Sequence, residues 1–169
     1  LLVNRRDAQA AARAEAAGIP WEFINSEAMA RAEFDRRALA LLRECRAEAV
    51  VLAGFMRLLT PEFIEAFRHR ILNIHPALLP LFPGAHAHRD ALAAGVVESG
   101  CSAHFVDDGV DTGPVILQQA VPVLPDDNAE TLAARILPYE HRLLPEAVRL
   151  LAAGRLAVEG GIVRILPEK

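Results

Sequence analysis

Three side chains able to do proton and carbonyl chemistry stand out: Asn73 and His75 in Asn-Ile-His-Pro, and Asp111 in Asp-Thr-Gly-Pro. Asn73 and His75 are two residues apart, so in an extended strand both project from the same side. The amide can donate to an oxygen that gains negative charge. The imidazole can carry a proton or present N–H to the same oxygen. A carboxylate beside the ring favours the imidazolium. Asp111 suits that role if its tight loop aims it inward, and it suits equally well the role of an Asx-turn residue. No Ser or Cys nucleophile adjoins the three. His104 is expected at an inward strand position, either as a satisfied core histidine or as a partner backing the site. His86 and His88 could supply two metal ligands, but Asp90 is the only nearby carboxylate, and no metal is expected. His69 and His141 read as surface residues.

The run 71–74, which delivers Asn73 and His75, and the run 102–106 read as strands, so each polar cluster sits where a strand stops and a loop begins. In an open α/β sheet, ligands bind at the carboxyl ends of the strands. Strands are also expected at 1–4, 19–24, 49–53 and 114–123, the run 49–53 being buried on both faces as in a parallel sheet, and 102–106 with 114–123 forming an antiparallel edge. Helices are expected at 7–17 up to Gly18, from a Ser26 cap to about 47, from Thr60-Pro61-Glu62, and at 88–94 up to Gly95. Asp127-Asn128-Ala129-Glu130 reads as a capping box opening a long helix to about 153, with kinks expected at Pro138 and Pro145. Residues 155–165 read as a hairpin about Gly160-Gly161. Strand alternating with helix implies an α/β fold with an open, mostly parallel, doubly wound sheet and helices on both faces.

Composition narrows the classes. The 169 residues are 53% hydrophobic and 24% charged, which suits one domain with a real core. A net charge of −4 argues against a nucleic-acid binder. Cys45 and Cys101 are far apart in apolar settings and read as two buried free thiols of a cytoplasmic protein. No apolar run is long enough to span a bilayer, and no signal peptide opens the sequence.

The chain resembles the phosphoribosylglycinamide formyltransferase family, from Asn4 to about Leu156. The resemblance is carried by Leu-Ala-Gly-Phe-Met-Arg at 52–57, Asn-Ile-His-Pro-Ala-Leu-Leu-Pro at 73–80, Pro-Gly-Ala-His-Ala-His at 83–88, His-Phe-Val at 104–106, Asp-Thr-Gly-Pro at 111–114 and Glu140-His141. It implies a Rossmann-like formyltransferase fold and transfer of the formyl group of 10-formyltetrahydrofolate to the amine of glycinamide ribonucleotide in purine biosynthesis. On this resemblance Asn73 and His75 bind the formyl oxygen, and Asp111 raises the pKa of His75 and assists proton transfer. The substrate brings its own amine nucleophile, so the protein needs none.

Folate contacts are implied for Arg31, Met56, Arg57, Leu58, Leu59, Asn73, Asp107, Asp108, Gly109, Val110 and Asp111. Leu58, Leu59, Ile64 and Val106 would line a flat pteridine pocket or simply pack the core. Ribonucleotide contacts are implied for Gly54, Met56, Pro76 and Glu140, the last toward sugar hydroxyls. The partners implied are these two substrates, with no nucleic acid and no membrane, in a cytoplasmic monomer or weak homodimer.

The sequence departs from the family in three ways. The family opens with a strand and a Gly-Ser-rich loop that grips phosphate at a helix N-terminus. The expectation is therefore one formyltransferase domain over 1–169 lacking that unit of about 30 residues, with phosphate binding and stability impaired. Ala77 and Leu81 replace a hydroxyl and a polar or basic residue, and Pro138 sits close to Glu140. Competing readings are a formyltetrahydrofolate hydrolase, another formyltransferase acting on methionyl-tRNA or a sugar nucleotide, and an inactive fragment.

Overall fold

The computed structural model describes every residue except Ala28 and Lys169. The chain falls into two compact units, Leu1–Glu48 with Arg57–Ala66, and Ala49–Met56 with Phe67–Lys169.

In the first unit, β1 (Leu2–Val3) and β2 (Glu22–Phe23) form a short parallel pair, with Leu2 opposite Glu22. Helix α1 (Gln9–Ala16) connects them and stops at Gly18, whose φ of 65° is left-handed. Helix α2 (Arg31–Glu44) buries Phe34, Ala38 and Leu39, one apolar stripe at helical spacing. Ser26 does not cap α2: its hydroxyl donates to the Asn4 carbonyl (3.3 Å) and accepts from the Asn4 amide (3.2 Å). The cap position is Ala30, with no side-chain cap. The part of the expected helix that falls on Ala28 lies outside the described residues. Helix α3 (Pro61–Ala66) starts as expected, with Thr60 Oγ1 accepting from the Phe63 N–H at 3.4 Å. The buried Asp35 carboxylate accepts from the Thr60 N–H at 2.6 Å and fixes that start.

The second unit holds a four-stranded sheet in the order β3 (Val50–Leu52), β4 (Ile71–His75), β5 (Glu98–Phe105), β6 (Val115–Pro122). Only β3 and β4 pair in parallel; β4/β5 and β5/β6 are antiparallel. The expected mostly parallel sheet is thus corrected: parallel pairing holds for β1/β2 and β3/β4, and the expected antiparallel edge takes in both β5 and β6. A connection of nine residues between β5 and β6 is too short for a parallel crossover. β3 is not buried on both faces either, since Val51 is 44% exposed. Helix α4 (Ala87–Ala93), between β4 and β5, ends before Gly95 at φ 65°.

Helix α5 (Ala129–Ala152) runs without interruption through Pro138 and Pro145. Its cap is Asn128, whose side chain accepts from the N–H of Glu130 and Thr131, while Thr131 Oγ1 accepts from the Asn128 N–H at 2.9 Å. The capping box is therefore one residue later than the sequence suggests, because Asp127 is committed to Arg135 and to the Leu124 N–H. α5 covers one face of the sheet. Ala147 and Leu150 pack on Leu72, Ala103, Phe105 and Ile116, and Leu132 and Ile136 on Cys101 and Val121. Leu72 and Ile74 face this core, so strand alternation turns Asn73 and His75 to the opposite face. The chain closes with the hairpin β7 (Leu156–Glu159) and β8 (Ile162–Ile165) about Gly160 and Gly161, both at positive φ. Both cysteines are free, but only Cys101 is buried; Cys45 is exposed, contrary to the expected pair of buried thiols.

Candidate active site

The antiparallel register of β4 and β5 places Asn73 directly opposite His104, and His75 opposite Ser102. Residues facing each other across a ladder share a sheet face, which brings the amide and both imidazoles together. A register shift between Ala103 and His104 in the β5/β6 ladder lies beside them. Because β4 and β5 run in opposite directions, their carboxyl ends lie at opposite ends of the ladder. The site is therefore built over the face of the sheet and not along a common carboxyl edge. Residue 106 sits beside the start of β4, its N–H donating to the Ile71 carbonyl at 2.9 Å. From there the loop to β6 folds back to carry Asp111 toward His75.

Asp111 is the centre of the cluster. Its Oδ2 lies 3.2 Å from His75 Nδ1 and accepts from the Gly84 N–H at 2.8 Å. Its Oδ1 accepts from the Asn73 amide at 3.4 Å and lies 3.5 Å from His104 Nε2. The carboxyl pKa is held down to about 2, first by the hydrogen bond with His104, with burial opposing, then by the Gly84 N–H and the charges of His75 and His104. The Asx-turn role belongs instead to Asp107, whose Oδ1 accepts from the Gly109 N–H (3.1 Å) and from Thr112 Oγ1 (2.7 Å). Gly113 lets the loop close, since a Cβ there would stand 1.9 Å from the Phe105 carbonyl oxygen.

The remaining partners define the protons. His104 Nδ1 is 2.8 Å from the Phe105 carbonyl and donates to it. Its Nε2 is 3.2 Å from the Asn73 amide nitrogen, and can serve Asn73 as acceptor or Asp111 as donor, one at a time. His75 is 4% exposed, and its Nε2 is 2.8 Å from the Phe82 carbonyl oxygen. His88, in the first turn of α4, has its pKa pushed down by burial and by the charge of His75. Ser102, fully buried, ties the loop after His75 to the sheet. It donates to the Ala77 carbonyl (2.6 Å) and accepts from the Leu79 N–H (3.1 Å) and from Gln118 (2.9 Å). A cavity of about 400 Å³, lined in part by Leu79, Pro83, Pro114 and Ile162, opens against Asp111. No group of three His, Cys, Asp or Glu side chains placed to hold a metal occurs among the described residues.

A formyl transferase family model matches residues 1–148. The chain is also 44% identical over 154 residues to phosphoribosylglycinamide formyltransferase of Escherichia coli (strain K12), covering 90% of this chain and 73% of that protein. The chain belongs to the phosphoribosylglycinamide formyltransferase family. Glycinamide ribonucleotide transformylase 1 from Symbiobacterium toebii, a crystal structure, matches with a TM-score of 0.95 at 49% identity, over 98% of this chain and 79% of that one. The trifunctional purine biosynthetic protein adenosine-3 of Drosophila pseudoobscura pseudoobscura is 49% identical over 145 residues. That match covers 85% of this chain, which spans only 11% of the relative's length.

The residues singled out from the family resemblance fall into two groups. Asn73, His75, His104 and Asp111 meet, as described. Gly54, at φ 65°, and Met56, 77% exposed, lie on the segment after β3, while Pro76 follows His75 directly. Glu140 is partly buried on α5, and burial pushes its carboxyl pKa up, with His141 opposing. Asp108, Gly109 and Val110 are exposed on the loop that carries Asp111. Arg31, Arg57, Leu58 and Leu59 belong to the first unit. There Arg57 donates to the Ser26 carbonyl and stands 5.3 Å above the Phe34 ring, and Leu58 is exposed while Leu59 is buried. The sequence reading missed the Phe82 carbonyl, the Gly84 N–H, Ser102 and Gln118. Main-chain groups carry no residue signature, and the only hint of the first two was the Pro-Gly punctuation of their loop.

Proposed function

We propose that this chain transfers the formyl group of 10-formyltetrahydrofolate to the amine of glycinamide ribonucleotide, a step of purine biosynthesis. The observation that carries the reading is one carboxylate, Asp111, in contact with both the His75 ring and the Asn73 amide. When the substrate amine adds to the formyl carbon, a C–N bond forms and negative charge moves onto the formyl oxygen. Asn73 N–H and the His75 ring are the donors for that oxygen. Asp111, ionised throughout the neutral range, stabilises the imidazolium and holds the ring while the proton leaves the attacking amine for the departing folate nitrogen. The bond from the formyl carbon to that nitrogen then breaks. The amine is supplied by the substrate, and the hydroxyl of Ser102, opposite His75, is committed to Ala77, Leu79 and Gln118.

Further roles extend the reading. Glu140, its carboxyl already raised by burial, accepts hydrogen bonds from sugar hydroxyls, with Gly54, Met56 and Pro76 along the ribonucleotide. Within the second unit the folate contacts fall to Met56, Asn73 and the loop 107–111; for Arg31, Arg57, Leu58 and Leu59 of the first unit the role rests on the family resemblance alone. The donor set suits a formyl oxygen, and Asp111 lines a cavity beside it. The test is consumption of 10-formyltetrahydrofolate with and without glycinamide ribonucleotide. Turnover that requires the ribonucleotide supports the transferase. Formate release without it replaces the transferase by a hydrolase.

A further inference from the structure

His75 stands opposite Ser102, and Ser102 opposite Gln118, so one rung across β4, β5 and β6 holds an imidazole, a hydroxyl and an amide on the same sheet face. Gln118 has no part in the reaction as set out so far, although both hydrogens of its amide are spent. Its Nε2 donates to the Leu79 carbonyl at 2.8 Å and to Ser102 Oγ at 2.9 Å. The carbonyl can only accept, so the nitrogen and not the amide oxygen must face it. Gln118 lies at an exposed strand position, where water could serve its amide, yet it reaches main chain instead.

What it grips is the start of the loop that reaches the catalytic cluster. The Ala77 carbonyl accepts from the Ser102 hydroxyl at 2.6 Å, and the Leu79 N–H donates to it at 3.1 Å. The Leu78 side chain lies over Gly100, where a Cβ would stand 2.9 Å from its Cδ2. A turn closed by the Leu81 N–H on the Leu78 carbonyl, at 3.0 Å, follows at once. Directly beyond it the Phe82 carbonyl lies 2.8 Å from His75 Nε2, and the Gly84 N–H donates to Asp111 Oδ2. An acceptor therefore stands at each His75 nitrogen, which suits the imidazolium of the proposed transfer. No flexible length separates the fixed end of the loop from these contacts, so a shift of the Leu79 peptide is passed on to both.

We infer that Gln118 is a positioning residue: by tying the Leu79 carbonyl to the rung that carries His75, it sets where Phe82 and Gly84 meet His75 and Asp111. It touches no reacting atom. Its effect on rate rests on the proposed transferase reading, and its effect on the loop rests on the geometry alone. The exposed position separates aim from stability. Where the amide is removed, water can satisfy the Leu79 carbonyl, so the fold loses little while the loop loses its direct tie.

The test compares variants by steady-state kinetics and by the Gly84 amide resonance in a proton–nitrogen correlation spectrum. Gln118→Met keeps the length and removes both donors. Its kcat should fall on the order of 10²-fold with KM for the ribonucleotide little changed, and the Gly84 amide proton should move upfield as its bond to Asp111 lengthens. Gln118→Glu, of the same shape but without the donors, should match it. Gln118→Lys returns donors on a stem of similar reach and should recover most of kcat and the Gly84 position. Gln119→Met should change neither, because that amide reaches only the Ala120 carbonyl beside it. Wild-type kcat in Gln118→Met, or a lowered kcat with the Gly84 resonance unmoved, overturns the inference. Should the methionine variant fail to fold by thermal melt, equal kcat in Gln118→Glu and Gln118→Lys overturns it. A wild-type protein with no ribonucleotide-dependent turnover would instead remove the transferase reading, and the Gly84 resonance in Gln118→Met would still decide whether Gln118 aims the loop.

Discussion

Asp111 Oδ2 stands 3.2 Å from His75 Nδ1 while accepting from the Gly84 N–H, so a single oxygen links the imidazole to the loop that follows it. In the proposed transfer the charge on that oxygen, not its shape, is what matters. Asp111→Asn keeps the volume and removes the charge. Steady-state kinetics should show kcat reduced by about 10²–10⁴-fold, the range of general acid–base effects, with folate affinity by titration changed little. An unaltered kcat would take Asp111 out of the mechanism.

The same carboxylate makes stability depend on acid. Its folded-state pKa of about 2 lies below the ordinary 3.8, so the unfolded chain binds the proton more readily. The contribution is present in full above the ordinary value and is lost as pH falls through that window toward about 2. Urea denaturation in this acid range should therefore show a steeper loss of stability for wild type than for Asp111→Asn. Parallel curves would mean that the network does not hold the carboxylate as the geometry indicates.

Gly113→Ala is a test of the loop with no change to any reacting group. The new methyl would lie 1.9 Å from the Phe105 carbonyl, so backbone must shift, and Asp111 with it. A displacement near 1 Å costs roughly 10²-fold in rate. The variant should be folded by circular dichroism and catalytically poor; wild-type kcat would show that the loop relaxes without moving Asp111.

Ser102→Ala removes one hydroxyl that serves three partners, leaving the Leu79 N–H and a Gln118 N–H to find others in a buried setting. Stranding a buried donor costs about 1–3 kcal/mol. Chemical denaturation should register a loss of that order, whereas Ser102→Thr should lose less.

The two thiols should differ sharply in reactivity. Burial first, and the nearby Glu140 second, push the Cys101 thiol up to about 12, against Arg142, while Cys45 is exposed. A thiol reagent should label Cys45 in the native protein and reach Cys101 only on unfolding. Mass spectrometry of the labelled peptides gives the answer directly, and native labelling of Cys101 would contradict its burial.

How much of this was legible in the sequence depended on the kind of signal. Asn73 and His75 were readable because a spacing of two in a strand fixes a common face. Asp111 was not decidable from its own neighbourhood: Asp107 and Asp111 both sit in one loop, and only the fold shows that Asp107 takes the turn while Asp111 reaches the ring. An antiparallel edge was expected at the strands that became β5 and β6, but that antiparallel pairing makes up most of this sheet was not readable, because apolar runs look alike whichever way the chain runs. Ser26 has the chemistry of a helix cap, yet it joins Asn4 across the ends of two strands, a long-range contact that local pattern does not encode. Phe82 and Gly84 act through main-chain atoms, so their side chains gave nothing to recognise.

In the structure the Asn73 amide already donates to Asp111 and contacts the His104 ring. A neutral carbonyl arriving there competes with a charged carboxylate for the same donor and gains little affinity. An alkoxide-like oxygen, carrying full charge, competes with that carboxylate on equal terms. Prior engagement of the donor thus acts as a threshold that separates the fleeting charged species from the resting ligand.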